Sequence, residues 1–241
     1  LGTKGTALWV KGDYSKSLSY FQENLEVSKI VGKKSVIAGV YNKLGIVYGS
    51  LGDNIKKIEY YQKSLKIREE LGNQHDIAIV LSNIGVLYQN LDNTTKALEY
   101  HQRALKIWEK LSDQVWIAVS LAHIGEVYED EGNYDTAFKY YKKSLKLGEE
   151  FGDKNDVAVY LKNIGGFFKI KKNYTKALDY YQRSMLLTKD IGAKPGVSQL
   201  LISIGEVNLF QKKYSKSIEK CKEAYQIALS IGNVFIQKEA C

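Results

Sequence analysis

A period of 40 residues runs through the whole sequence and constrains its fold more than any other feature. Glycine recurs at this spacing, a small residue follows most of these glycines after 12 positions, and a bulky residue follows after 16. The recurring glycines are Gly5, Gly45, Gly85, Gly125, Gly165 and Gly205. A single repeat of this length does not bury a core alone, so we expect neighbouring units to stack into an array.

Each period contains two segments whose apolar residues have helical spacing. The single proline, Pro195, falls at a predicted helix start, where proline is tolerated. Glycine followed by Asp or Asn separates many segments, which is typical of a left-handed helix end followed by a capping side chain. These pairs are Gly52-Asp53, Gly72-Asn73, Gly132-Asn133 and Gly152-Asp153. The sequence therefore predicts an all-α fold with helices of about 17 residues.

The glycine inside each first helix requires an explanation, because glycine costs about 1 kcal/mol relative to alanine in a helix interior. The simplest one is close approach of the second helix, with the small residue 12 positions later on the other side of the contact. A backbone contact with a ligand is the alternative. His101 and Cys221 occupy the bulky position that follows each glycine, which favours a buried packing role for both over catalysis.

The order of these residues resembles the tetratricopeptide repeat. In the fourth period the resemblance is carried by Gly125, Tyr128, Gly132, Tyr134, Ala137, Tyr141 and Ser144. The period of 40 residues is longer than the usual length of about 34 residues for this repeat. Repeats of this longer form are similar to those of polarity adaptors and bacterial signalling proteins. The resemblance implies a right-handed α-solenoid of about six antiparallel helix pairs. Three residues depart from the pattern: Lys57 replaces a small residue, Asp92 a glycine and Asn208 a tyrosine.

We expect one superhelical domain over residues 1–241. Its approximate repeats are a truncated 1–34, then 35–74, 75–114, 115–154, 155–194 and 195–234, with the start of a seventh at 235–241. Terminal repeats need a polar outer face for solubility, and neither end has an apparent one. We therefore expect a fragment of a longer protein that is capable of self-association through its uncapped ends.

The resemblance also implies where a partner binds. In such arrays the first helix of each pair lines a concave groove, with groove-facing side chains two residues before and one, four and five residues after the repeat glycine. The predicted groove residues are Lys43, Ser50, Asn83, Gln89, Asn90, His123, Glu126, Glu129, Asp130, Asn163, Lys169, Ser203 and Glu206. Asparagine side chains both donate and accept hydrogen bonds, so this set suits an extended or helical peptide.

Charge is distributed unevenly between the two kinds of helix. The net charge is +8, and its basic excess lies in the second helices, whereas the first helices are slightly acidic. The predicted groove contains an acidic cluster of Glu126, Glu129, Asp130 and Glu131. A basic segment on the partner would complement it. The alternative is that these are ordinary solvated charges with little energetic effect.

Known chemical motifs are missing from the sequence. The three histidines lack metal-ligand spacing, and there is no phosphate loop or nucleophile elbow. We therefore expect no catalytic residue, cofactor, metal or small-molecule substrate. No apolar stretch approaches 18 residues, which predicts no membrane insertion. Two cysteines and no leader pattern favour the cytoplasm.

These observations favour a non-catalytic module that binds a peptide or protein in its groove. A second hypothesis is that the chain is the sensor or regulatory arm of a larger signalling enzyme, such as a kinase, cyclase or protease. A third is single-stranded nucleic-acid binding along the basic face. The basic residues include only three arginines, which disfavours nucleic acid because arginine makes the bidentate phosphate and base contacts.

Overall fold

The computed structural model describes residues 2–231, which form twelve α-helices and no strand, so the all-α prediction is confirmed. The helices are α1 (Gly2–Val10), α2 (Tyr14–Val31), α3 (Lys34–Ser50), α4 (Asn54–Leu71), α5 (Gln74–Asn90), α6 (Thr94–Leu111), α7 (Gln114–Asp130), α8 (Tyr134–Phe151), α9 (Lys154–Ile170), α10 (Tyr174–Asp190), α11 (Lys194–Phe210) and α12 (Tyr214–Ser230). The predicted seventh repeat at 235–241 lies outside the described residues.

The described helices fall into two compact units. Unit 1 is formed by α1–α6 in residues 2–113, and unit 2 by α7–α12 in residues 114–231. Within each unit, consecutive helices pair into three hairpins, and in the five hairpins from α3 to α12 the closest packing is between the two helices of the hairpin. The first helices α3, α5, α7, α9 and α11 each begin and end one residue before the bounds that the sequence predicts, which are 35–51, 75–91, 115–131, 155–171 and 195–211. The single domain over 1–241 stays a prediction.

Caps at the helix ends follow the sequence signals with one exception. Gly52 has a left-handed φ of 81°, and the Asp53 side chain accepts a hydrogen bond from the Lys56 backbone N–H. Gly72 and Gly132 are likewise left-handed. The prediction is wrong at Gly152, whose φ of −85° and ψ of 173° are extended. A Cβ there would lie 2.8 Å from the carbonyl oxygen of Gly148, so close approach to the preceding turn explains this glycine.

The left-handed turn between the helices of a hairpin occurs even without glycine. Asp92, Lys172 and Lys212 take φ values of 54°, 59° and 60° at the positions where other repeats have glycine. An L-residue in this conformation costs roughly 1–2 kcal/mol. The packing of the two helices therefore fixes the turn geometry, and the departure at Asp92 leaves the backbone unchanged.

The repeat glycines lie directly against the bulky residue 16 positions later. A Cβ on Gly125 would lie 2.6 Å from the Tyr141 ring, and one on Gly85 would lie 2.6 Å from the His101 ring. The close approach is confirmed, but the first contact is this ring and not the small residue at position 12. The backbone carbonyl of Ala137, at position 12, is the next nearest group at 3.3 Å. Five of the six repeat glycines therefore make room for a ring, and Gly205 lies against the Cys221 thiol.

His101 and Cys221 differ although both occupy the ring position. His101 is completely buried, as its predicted packing role requires. Cys221 is only partly buried, so the prediction of a buried thiol is wrong.

The other two departures from the repeat pattern are accommodated locally. The Lys57 stem lies where a side chain on Gly49 would otherwise be, since a Cβ on Gly49 would approach Lys57 Cδ to 2.7 Å. The long Lys57 side chain therefore fills the space that the missing side chain of Gly49 leaves on the facing helix. Burial lowers the pKa of Lys57. The buried Asn208 side chain donates its Nδ2 hydrogen to the Ile204 carbonyl at 2.9 Å, which satisfies it inside α11.

Candidate functional site

The predicted groove residues lie on the first helices of the two units and form two separate faces. None of them is fully buried. We call Lys43, Ser50, Asn83, Gln89 and Asn90 the unit 1 face, on α3 and α5. The unit 2 face lies on α7, α9 and α11 and consists of His123, Glu126, Glu129, Asp130, Asn163, Lys169, Ser203 and Glu206.

The unit 1 face has a polar bridge and a small apolar cleft. Asn83 Nδ2 donates to Asn42 Oδ1 at 3.3 Å, which joins α5 to α3 through a residue that the position rule missed. Near α1, Trp9 Nε1 donates to Ser50 Oγ at 2.8 Å. Beside it lies a cleft of about 130 Å³, lined by Thr6, Trp9, Phe21, Lys43, Ile46 and Val47. This cleft offers mainly apolar contact.

On the unit 2 face, the Glu126 carboxylate has two hydrogen-bond partners. Its Oε2 lies 3.1 Å from His123 Nδ1, and its Oε1 accepts from Asn163 Nδ2 at 3.1 Å. Burial alone would raise the pKa of Glu126, but the His123 and Asn163 interactions outweigh it and hold the pKa below its usual range. The negative charge of Glu126 is therefore largely committed to neighbours within the protein.

Glu129, one turn later on α7, is in the opposite electrostatic situation. The Tyr141 hydroxyl donates to Glu129 Oε2 at 2.5 Å. Burial nevertheless raises the pKa of Glu129, and the nearby charges of Glu126 and Asp130 raise it further. The environment of Glu129 therefore disfavours its ionised form in the absence of an added cation.

The predicted acidic cluster is consequently not one continuous acidic surface. Glu126 is hydrogen-bonded to His123 and Asn163, and Glu129 accepts a hydrogen bond from the Tyr141 phenol. Asp130 is exposed at the last position of α7, and Glu131 follows the helix end. The four acidic residues therefore have different environments, although Glu126 and Asp130 both act electrostatically on Glu129. A basic partner segment at this cluster stays a prediction.

Five predicted residues gather around a cleft of about 600 Å³ between α9 and α11, which we call the Gly166 cleft. The predicted members are Glu129, Asn163, Lys169, Ser203 and Glu206. Prediction missed its other lining residues, Lys162, Gly166, Tyr181, Gln199 and Ile202. The second glycine of the Gly165-Gly166 pair is a sequence signal that could have located the cleft.

One ion pair crosses the Gly166 cleft. Lys169 Nζ forms an ion pair with Glu206 Oε2 at 2.6 Å, joining α9 to α11. Ser203 hydrogen-bonds with the Tyr181 hydroxyl, and burial raises the pKa of Tyr181, so the phenol stays protonated. The cleft therefore presents carboxylate, amide, hydroxyl and ammonium groups within one depression.

Aromatic pairs have a packing role in both units. Within hairpins, Tyr48 stacks on Tyr60 with ring centroids 5.3 Å apart, and Tyr128 stacks on Tyr140 at 5.6 Å. Because each ring is covered by its partner, these pairs do not form open platforms for bases.

Residues 2–231 contain no group of three or more His, Cys, Asp or Glu that could hold a metal, and no helix able to cross a membrane.

Solved structures with a similar fold include several proteins of low sequence identity. BtubC (BKLC) from P. vanneervenii has a TM-score of 0.76 and 16% identity, covering 91% of this chain and 92% of that one. A Rap protein complexed with Competence and Sporulation Factor has a TM-score of 0.75 and 13% identity, with coverage of 99% and 71%. NprR in complex with its cognate peptide NprX gives 0.70 and 21%, with coverage of 95% and 66%. No curated protein matches the sequence.

The sequence model of the tetratricopeptide repeat matches in four overlapping spans, residues 36–110, 76–150, 116–184 and 156–230. Together these spans include every hairpin from α3 to α12. The hairpin architecture, the repeat glycines packed against rings and this match agree, and the chain belongs to the tetratricopeptide repeat family.

Proposed function

We propose that this chain is a non-catalytic interaction module that binds an extended peptide segment at the Gly166 cleft on the unit 2 face. The observation that carries the proposal is the gathering of half-buried and exposed amide, hydroxyl and charged side chains around one open depression of about 600 Å³. Pockets that combine some apolar lining with a few convergent polar groups are the usual form of a binding site.

The side chains in the cleft suit a peptide main chain. Asn163 and Gln199 carry amides that both donate and accept, which matches the alternating N–H and C=O groups of an extended backbone. Ile202 adds apolar surface between them. The Rap and NprR structures were solved with a competence and sporulation factor and with a cognate peptide, respectively, which supports a peptide ligand for this fold.

Arginine pairing favours a peptide over nucleic acid as the partner. Arg68 is paired with Asp76, Arg183 Nη2 lies 3.1 Å from Glu149, and Arg103 lies 3.7 Å from Glu69. All three arginines of the chain are therefore engaged with carboxylates. Phosphate recognition would require these pairs to break, and the remaining cations are lysines.

A peptide array tests the proposal. The purified chain is screened against immobilised dodecapeptides, and the binding of each captured peptide is measured for Asn163→Ala and Gln199→Ala. We expect each change to weaken binding about fivefold to tenfold, because a hydrogen bond to the peptide is lost. Asn83→Ala, the equivalent asparagine of unit 1, is the matched control and should retain full affinity. Full affinity in both unit 2 variants, with loss in Asn83→Ala, would move the site to the unit 1 face.

A further inference from the structure

The position directly after the repeat glycine lacks a side chain in only one of the helices α3, α5, α7, α9 and α11. The residues there are Ile46, Val86, Glu126, Gly166 and Glu206 in chain order. A second glycine makes α9 less favourable as a helix, since glycine is the poorest helix former after proline. The glycine at position 166 therefore needs an explanation that does not apply to the equivalent position of the other four helices.

Packing between helices does not provide that reason. A Cβ on Gly165 would lie 2.6 Å from the Tyr181 ring, so Gly165 is required by the hairpin. A Cβ on Gly166 would meet only Tyr181 Oη at 3.9 Å and Glu129 Oε1 at 4.0 Å, both ordinary contact distances. An alanine would fit at Gly166 without movement. What the glycine provides is open space in the floor of the cleft, bordered by a hydroxyl and a carboxylate oxygen.

The carboxylate at this opening is suited to a cation. Glu129 takes part in no ion pair within residues 2–231, and its hydrogen-bond donor is the neutral Tyr141 hydroxyl at 2.5 Å. The cation nearest to it in the cleft, Lys169, is held by Glu206 at 2.6 Å. Lys162, also in the lining, acts electrostatically on Glu126. Lys169 does act electrostatically on Glu129, but less strongly than burial, Glu126 and Asp130 do. A half-buried carboxylate that forms no ion pair gains from an added positive charge.

We propose that the Gly166 cleft is a specificity pocket for one lysine or arginine side chain of a bound peptide. The alkyl stem lies over the bare backbone of Gly166 and beside Ile202, and the cationic group reaches Glu129 Oε1 and Tyr181 Oη. Tyr181 accepts a hydrogen bond from the cation, and the carboxylate neutralises its charge. This inference deepens the proposed function and rests on it for the peptide, but the pocket itself is testable separately.

The first experiment uses small probes in place of a peptide. Butylguanidinium and butylammonium are titrated into the isotope-labelled chain, and backbone amide shifts are followed by NMR, with neutral butylurea as the control. We expect saturable shifts at Gly166 and its neighbours with the two cations, and at least about tenfold weaker binding in Glu129→Gln and Gly166→Val. Equal shifts from butylurea, or unchanged cation binding in Gly166→Val, would overturn the pocket.

The second experiment uses peptides with one position fixed as Arg, Lys, citrulline or norleucine. We expect a preference for Arg and Lys at one position, which Gly166→Ala reduces although this variant unfolds at a higher temperature than wild type. Loss of selectivity together with a gain in stability excludes misfolding as the cause. Peptide binding without any basic preference would overturn the pocket and leave the proposed function intact. Cation binding without any peptide binding would overturn the proposed function and leave the pocket intact.

Discussion

The two units present different chemistry at the same repeat position. One residue after the repeat glycine, unit 1 has the apolar Ile46 and Val86, whereas unit 2 has Glu126, Gly166 and Glu206. The unit 1 face consequently has a small apolar cleft of about 130 Å³, and the unit 2 face has a polar one of about 600 Å³. One repeat scaffold therefore carries two faces with different binding chemistry.

The interior of the hairpins is alike in both units. Gly45 approaches the Tyr61 ring in unit 1 as closely as Gly165 approaches the Tyr181 ring in unit 2. Ser64 Oγ donates to the Ala38 carbonyl at 2.8 Å in unit 1, and Ser184 Oγ donates to the Ala158 carbonyl at 2.7 Å in unit 2. These contacts within the hairpin thus recur in both units, whereas the residues on the exposed face differ between them.

The largest expected effect separates the two adjacent glycines of α9. Gly165→Ala should lower the free energy of unfolding by roughly 2 kcal/mol, because the new methyl group would overlap the buried Tyr181 ring. Gly166→Ala should raise it by up to about 1 kcal/mol through helix propensity. Urea denaturation measures both. Gly45→Ala in unit 1 should behave like Gly165→Ala; a neutral result there would mean that the ring contact differs between the units.

Turn residues provide the next comparison. Gly52→Ala in unit 1 should cost about 1 kcal/mol, since the left-handed φ of 81° disfavours any side chain although no atom lies within 4 Å of the new Cβ. Lys172→Gly in unit 2 should gain up to about 1 kcal/mol by relieving the same strain. Gly39→Ala, in the interior of α3 with equally open space, is the control and should be stabilising. If thermal denaturation shows that all three substitutions shift the stability in the same direction, the left-handed backbone conformation does not determine their effects.

Removing the charge of Glu126 and that of Glu129, which lie one turn apart on α7, should change the free energy of unfolding in opposite directions. Glu126→Gln should cost about 1 kcal/mol, because the bond with His123 is weakened. Glu129→Gln should be neutral or stabilising, because it removes a half-buried charge and keeps an acceptor for Tyr141. The pKa of Glu126 is lowered in the folded state, so its stabilising contribution is lost as pH falls through that value.

The stability contribution of Glu129 depends on pH in the opposite direction, because burial raises the pKa of Glu129 in the folded state. Its protonated form favours the folded state, and this advantage is lost as pH rises through the folded pKa. The difference in unfolding free energy between wild type and Glu129→Gln should therefore grow with pH between about 4 and 7. A difference that shrinks over this range would show that Glu129 already has a compensating cation.

The sequence predicted the hairpins well because their determinants recur. Gly85 and His101, 16 residues apart, keep their contact even though histidine replaces tyrosine. The helix bounds were wrong by one residue, since caps such as Asn73 and Asp153 begin their helices one position earlier than the apolar pattern indicates.

The site was less predictable because similar residues have different surroundings. Gly165 and Gly166 are identical in type, yet one faces a ring and the other faces open space. Glu126 and Glu129 are both acidic groove residues, but their pKa values shift in opposite directions because different neighbours approach them. The Tyr141 hydroxyl reaches Glu129 only through the packing of α8 on α7. Such contacts depend on side-chain positions that the spacing of residues does not specify.

The smallest expected effect is a pH dependence of binding at the Gly166 cleft. A peptide lysine or arginine beside Glu129 lowers the raised pKa of this carboxylate, so binding at a pH near that pKa releases protons. Affinity should be constant at higher pH and fall severalfold as pH decreases through the pKa of the unbound protein. The charged groups that act on Glu129 are Glu126 and Asp130 on α7 and Lys169 on α9, and Tyr141 remains protonated.

Calorimetry in two buffers of different ionisation enthalpy measures the released protons, and Glu129→Gln should abolish the release. Equal proton release in that variant would show that a group other than Glu129 titrates, and the unit 2 face would then differ from the unit 1 face in charge without Glu129 sensing the ligand.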